Sequence, residues 1–143
     1  MTVAQTIAQT FSKDQSTKVG ALIISMDGSP LSWGYNGICR GVLDDIPERL
    51  ERPEKYKWFE HAERNAIYNA TRAGVRLIDS RIFITKLAPC VDCCRGIIQS
   101  GISEVYMQVE AFNEEGTKPA WLVDFKQVKE MFGEAGVGLY VIK

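Results

Sequence analysis

Two short stretches, FEHAERNA at residues 59–66 and APCVDCC at 88–94, most restrict the folds open to this chain. The first holds His61, the one histidine among 143 residues, with Glu63 two positions on; the second holds Cys90, Cys93 and Cys94, three of the four cysteines. Each sits where a helix is expected to begin. KWFEHAERNAIYNATRAG (57–74) has helical spacing closed by Gly74, and Pro89 suits the entry to a short helix over CVDCCRGIIQSG (90–101). Residues two apart on a helix lie about 200° apart around its axis. His61 and Glu63 therefore converge only on a group beyond the helix end, where free N–H groups and the dipole also favour negative charge. Cys90 and Cys93, at i and i+3, share one face of the first turn. A fold that uses both clusters together must bring two helix starts face to face.

The other segments alternate between short strands and helices. TVAQTIAQTF (2–11) carries Val3, Ile7 and Phe11 at helical spacing, while VGALIIS (19–25) and LSWGY (31–35), joined by a turn at MDGSP, predict an antiparallel pair. SRIFITK (80–86), EVYMQV (104–109) and VGLYVI (137–142) predict three further strands, and WLVDFKQVKEMFGEAG (121–136) an amphipathic helix. The fold class is α/β with a mixed sheet. At 143 residues and 45% hydrophobic, residues 1–143 are expected to form a single domain, burying roughly 70% of the surface the unfolded chain exposes. The charged, proline-broken stretch ICRGVLDDIPERLERPEKYK (38–57) fits no element; a solvated loop, an oligomer contact and a functional loop all stay open for it.

Composition excludes several partners. The 17 basic and 18 acidic residues nearly cancel, without the positive excess that phosphate-backbone binding usually needs, so a nucleic-acid polymer is not expected. No apolar run is long enough to span a bilayer, and MTVAQTIAQTFSKDQ has neither a basic nor an apolar signal region. A cytoplasmic protein without a membrane partner is expected. Four clustered cysteines make no disulfide framework, and in a reducing compartment their spacing points to metal binding or catalysis.

One imidazole and two thiolates suit Zn²⁺, and three protein ligands leave open the tetrahedral position that a catalytic site keeps for water. Two thiolates also neutralise the metal. Cys94 complicates the choice, because positions 90 and 94 share a helical face as well: it can replace Cys93, close the site as a fourth ligand, or act as a small buried hydrophobe. A redox pair is a further reading of C-x-x-C taken alone.

H-A-E followed after 25 residues by P-C-x-x-C resembles the signature of zinc-dependent deaminases. The blocks SKDQSTKVGALI, GYNGICRGV, PERLERPEKYKWFEHAERNAI, APCVDCCRGIIQSGI and EMFGEAGVGLYVI are similar to successive blocks of the deoxycytidylate deaminase family along nearly the whole chain. That resemblance implies a three-layer α-β-α sandwich around a mixed five-stranded sheet, and hydrolysis of dCMP to dUMP and ammonia. It selects Cys93 over Cys94 beside His61 and Cys90. Zinc there would lower the pKa of its bound water toward roughly 7. Glu63, near the metal but not bound to it, would take the water proton, pass it to the ring N3 and protonate the departing amine. Asp92, between Cys90 and Cys93, is expected to point away.

Substrate contacts follow from the same resemblance. Asn36, in GYNG, corresponds to a family asparagine that contacts the sugar, although Asn-Gly is also a turn dipeptide, and Ala62 is placed with the substrate-contacting residues. Ser16, Thr17 and Lys18 lie in the block similar to the family's phosphate-side loop; Arg40, Arg49, Arg52 and Lys55 are alternatives. Many relatives carry a tyrosine after the fourth strand where this chain has Ala111 and Phe112, so the preference among dCMP, dCTP and modified cytosines such as 5-methyl-dCMP stays open. Trp33, Tyr35, Trp58, Phe112 and Trp121 could each supply an aromatic face for a base, and none is selected. Effector binding of dCTP and dTTP, and a homo-oligomer, hexamer or dimer, are implied by resemblance alone. A nucleoside or tRNA-adenosine deaminase would share the zinc core. A non-catalytic zinc domain would have no use for an unbound carboxylate at position 63.

Overall fold

The computed structural model describes residues 1–109 and 119–142, the side chains of 109 and 119–123 excepted. Ala111, Phe112 and the Trp121 side chain, singled out above, lie outside the described residues. In chain order the elements are α1 (Thr2–Phe11), β1 (Gly20–Ile24), β2 (Pro30–Tyr35), β3 (Gly37–Ile38), a 3-10 turn (Pro47–Arg49), α2 (Lys55–Trp58), β4 (Phe59–Glu60), α3 (Ala62–Ala73), β5 (Arg81–Lys86), α4 (Val91–Gln99), β6 (Glu104–Val109), α5 (Pro119–Glu134) and β7 (Gly138–Val141). Among the described residues no helix is long and apolar enough to cross a membrane.

β1, β2, β5, β6 and β7 form one mixed sheet in the order β2-β1-β5-β6-β7, with β1 antiparallel to both neighbours and β5, β6 and β7 parallel. Side chains alternate between the faces of a strand, and the register separates the layers. Ser32 and Gly34 face α3, whereas Trp33 and Tyr35 face α1 and stack on Phe11 at ring separations of 5.2 and 5.7 Å. Ala21, Ile23, Ile82, Ile84, Val105 and Met107 fill the core with Ile97, Val128 and Phe132. α1 and α3 therefore lie on opposite faces, which is the expected three-layer architecture. α1 buries Ala4, Ile7 and Ala8 instead of the stripe expected through Val3 and Phe11, both exposed. The cause is close packing on Gly20, where a Cβ would stand 2.0 Å from the Ala4 carbonyl oxygen.

α3 is fastened along the edge strand. Asn65 and Asn69 donate side-chain N–H bonds to the carbonyls of Tyr35 and Trp33, each 2.8 Å, and the Ser32 hydroxyl donates to Ala66 O at 2.7 Å. The two asparagine bonds end on backbone carbonyls of the edge strand, whose outer groups have no neighbouring strand to pair with. At Gly34 a Cβ would stand 2.4 Å from Ala66 N and 2.5 Å from Ala62 O, so the first turns of α3 rest on bare strand backbone.

The single helix expected over 57–74 is divided. Phe59 and Glu60 are extended and pair with Ile38 and Gly37, and α3 starts only at Ala62 with His61 as its N-cap. A tertiary pairing thus outweighs a local helical pattern, and it fixes the chain immediately before His61.

Candidate metal and substrate site

His61 precedes α3 with φ −76° and ψ 152°, and Cys90 precedes α4 with φ −75° and ψ 173°. Both are extended N-cap positions whose side chains reach beyond the helix end. His61 Nδ1 lies 3.5 Å from Cys90 Sγ and 3.4 Å from Cys93 Sγ, and the three donor atoms lie within 4.8 Å of one another. Tetrahedral zinc bonds of about 2.3 Å to sulfur and 2.0–2.1 Å to nitrogen separate such donors by about 3.6 Å. The donor set and its spacing fit zinc. Cys94 points elsewhere: fully buried, its thiol faces Val128 O at 3.9 Å, and burial pushes its pKa up to about 11.

The cluster is electrostatically asymmetric. Hydrogen bonding from Cys93, with further help from His61, holds Cys90 down to about 3 against the opposing effect of burial. Cys93 is pushed far up by Cys90 and by burial. Hydrogen bonding to Cys90 raises the His61 imidazole above its ordinary value. Glu63, in the first turn of α3 and 5% exposed, has its carboxyl raised by burial. Asp92 instead faces solvent and pairs with Arg95.

A chain of polar contacts ties the two helix starts together. Glu60 Oε1 accepts the His61 backbone N–H at 2.9 Å and Arg64 Nε–H at 2.7 Å. Arg64 Nη1 lies 3.7 Å from Asp92 Oδ2 on α4.

Beside the cluster lies a cavity of about 340 Å³, within the range of small-molecule sites. His61, Glu63 and Cys90 line it, Val19, Phe59, Ala62, Leu87 and Ala88 supply apolar wall, and Asp14, Thr17, Asn36, Arg52, Lys55 and Tyr56 complete it. Lys55 Nζ donates to Asp14 Oδ2 and Oδ1 at 2.8 and 3.0 Å and to Ser16 Oγ at 2.7 Å, with the Lys55 and Asp14 side chains 6% and 5% exposed. Asp14 also accepts the backbone N–H of Ser16 and Thr17 and the Ser16 hydroxyl. Burial alone would raise its carboxyl, but Lys55 and these donors outweigh it and hold the group below 3.8. Asn36 has its amide fully engaged: Oδ1 accepts from Ser12 Oγ and Val19 N, and Nδ2 donates to Asp14 Oδ2 and Thr17 O. It borders the cavity without an unpaired polar atom.

The expected substrate residues separate accordingly. Asn36 and Ala62 line the cavity, whereas Ser16 borders an adjoining hollow. Lys18 lines neither; its ammonium donates to Gln9 O on α1 at 3.3 Å. Arg40 donates to Asn69, and Arg49 lies 4.0 Å over the Trp58 ring. Trp33 and Tyr35 face α1, so the aromatic wall is formed by Phe59 and Tyr56, neither singled out from the sequence. The signal for Phe59 was its place two residues before His61, which alternation in an extended segment puts on the same side. The Asp14–Lys55 pair spans 41 residues and has no local signature.

Two helix starts present a histidine, a glutamate and a cysteine to one cavity beside this sheet, with a second cysteine in donor range of the histidine, an arrangement that fits a zinc-binding region. The chain belongs to the cytidine and deoxycytidylate deaminase family, whose zinc-binding region matches residues 1–109. It is 35% identical to mouse deoxycytidylate deaminase over 80% of this chain and 66% of the mouse enzyme, so it spans slightly less than two thirds of that relative's length. An uncharacterized deaminase from the luxG 3′ region of Aliivibrio fischeri is 39% identical over 89% of this chain and 80% of its own. Among solved structures, the apo dCMP deaminase of cyanophage S-TIM5 is similar at a TM-score of 0.72 and 25% identity, over 99% of this chain and 92% of the phage chain.

Proposed function

We propose that this chain hydrolyses the 4-amino group of dCMP, giving dUMP and ammonia with consumption of one water. The observation that carries the reading is the buried Glu63 carboxyl, which lines one cavity with His61 and Cys90, beside a donor cluster that Cys93 completes. In this reading His61 Nδ1, Cys90 Sγ and Cys93 Sγ hold zinc. When bound there, zinc would lower the pKa of a water toward about 7 and so make a nucleophile for C4 available at neutral pH. Glu63 takes one proton from the attacking water and gives it to the ring N3, then takes the second from the hydroxyl now on C4 and gives it to the amine, which leaves as ammonia as the C4–N bond breaks and the carbonyl forms. Its raised pKa suits a group that must hold a proton between two transfers. Ala62 and Phe59 form apolar wall for the base, and Asn36 shapes the sugar side through the loop it holds.

The mouse relative and the cyanophage neighbour, each named for dCMP deamination, support the monophosphate as substrate. The near-balanced charge of the chain agrees with a free nucleotide rather than a polymer. A cytoplasmic homo-oligomer responsive to dCTP and dTTP belongs to the same reading; sedimentation with and without these nucleotides tests it. The substrate test is ammonia release from dCMP, dCTP, deoxycytidine, CMP and 5-methyl-dCMP side by side, with the highest kcat/KM expected for dCMP. A higher value for another compound replaces the substrate. Release from none of them by zinc-loaded protein replaces the enzyme with a zinc-binding domain.

A further inference from the structure

We infer that Arg52 binds the 5′-phosphate and is the residue by which the cavity distinguishes a nucleoside monophosphate from a nucleoside and from a triphosphate. This rests on the dCMP reading and specifies the end of the substrate opposite the amine. A phosphate needs cations or free N–H donors, and among the described residues the cavity offers two candidate cations besides His61: Lys55 and Arg52. Lys55 is already engaged. An ammonium has three donors, and those of Lys55 go to both carboxylate oxygens of Asp14 and to Ser16 Oγ in a buried setting. The loop that resembles a phosphate loop is engaged too, because Ser16 N–H, Thr17 N–H and the Ser16 hydroxyl all donate to Asp14.

Arg52 differs on each count. It is exposed, its one hydrogen bond among the described residues is a 3.5 Å contact from Nη2 to Ser16 Oγ, and its guanidinium carbon stands 5.9 Å from the Tyr56 ring centre. The planar guanidinium therefore keeps donors for the bidentate geometry that phosphate favours. Other basic groups nearby are turned away or paired: Lys13 with Asp44, Lys57 with Glu54, Lys18 with Gln9 O and Arg49 with Leu43 O.

The position of Arg52 also sets how many phosphates fit. It borders both the cavity and an adjoining hollow of about 480 Å³, whose other lining residues include Glu51, Gln15, Pro47, Leu50 and the neutralised Lys55. A single phosphate ends at Arg52. Second and third phosphates would enter a hollow that, among the described residues, adds a carboxylate and no free cation, so a triphosphate is disfavoured by charge.

The test compares wild type, Arg52→Gln and Arg52→Lys with dCMP, deoxycytidine and dCTP as substrates, with zinc content and Tm measured on each preparation. Arg52→Gln is expected to raise the KM for dCMP by about 10- to 100-fold, the usual loss for a charge-assisted bond. The ratio of kcat/KM for dCMP over deoxycytidine should fall by the same factor. Arg52→Lys should recover part of the loss, and zinc and Tm should match wild type. A dCMP preference that survives intact in Arg52→Gln overturns the assignment while leaving the dCMP reading standing. A wild type that handles deoxycytidine or dCTP as well as dCMP overturns the dCMP reading itself.

Discussion

At the inner end of the cavity, the His61 and Cys90 donors come from two helix starts 29 residues apart and meet 3.5 Å from each other. At the rim, a lysine and an aspartate 41 residues apart meet inside a network of backbone N–H groups, a serine and an asparagine. Once the pairing of Phe59 and Glu60 has set His61 at the helix start, the inner end follows local rules: an N-cap residue projects beyond its helix, and positions i and i+3 share a face. The rim depends on which loops the completed fold lays side by side. One end is set by helical periodicity, the other by mutual satisfaction of buried polar groups, and they should fail differently when altered.

The strongest expected break is at the donors. His61→Ala, Cys90→Ala and Cys93→Ala should each reduce zinc from one per chain to near zero and abolish turnover, while Cys94→Ala keeps its zinc; elemental analysis reads both. Zinc retained in Cys93→Ala and lost in Cys94→Ala would reverse the assignment. Next in size is Glu63→Gln. It should cut kcat by at least about 10²- to 10⁴-fold with zinc unchanged and with the Kd for dCMP within roughly tenfold, about 1.4 kcal/mol. Turnover, metal analysis and calorimetry on one preparation decide whether Glu63 moves protons or holds structure.

The rim should respond in stability rather than in chemistry. Lys55→Met or Asp14→Asn leaves a buried partner uncompensated and should cost about 3–5 kcal/mol, with the double substitution Lys55→Met/Asp14→Asn milder than the sum of the two. Because the folded Asp14 carboxyl titrates below 3.8, its contribution is present above that pH and is lost as pH falls through the folded value. Denaturant titrations across the acid range should therefore show wild type losing more stability than Asp14→Asn. The smallest effect is expected where the two helix starts are tied together: Arg64→Gln should weaken zinc binding by about tenfold with little change in Tm. An unchanged zinc affinity would make the Glu60–Arg64–Asp92 contacts incidental.

This contrast also explains what could be read in advance. All five strands of the main sheet lie where alternation and turn residues indicate, and the spacing of His61, Glu63, Cys90 and Cys93 at two helix starts holds in the folded chain, whereas the choice of Cys93 over Cys94 and the part given to Glu63 come from the family resemblance. Ser16 and Lys18 are expected as phosphate contacts because their block is similar to the family's phosphate-side loop. Their partners, Asp14 and Gln9 O, are visible only after α1 and the loop are packed. The helix boundary near residue 60 differs from the sequence pattern for the same reason, since Phe59 and Glu60 pair with Ile38 and Gly37 across the segment that fits no element. Lys55 reads as one more charged loop residue in a one-dimensional pattern, yet it is 5% exposed.

Gly34 limits how this scaffold can diversify. With Ala62 O and Ala66 N inside van der Waals reach of any added Cβ, the height at which α3 presents its first turn is set by main chain alone and cannot be tuned by residue choice on the strand. A library at position 34 should return glycine, whereas one at position 52 should return many folded, zinc-loaded members with altered substrate range. Descendants of this chain can change what they accept by rewriting the exposed residues around Arg52, with Lys55 kept, while the zinc centre keeps its place.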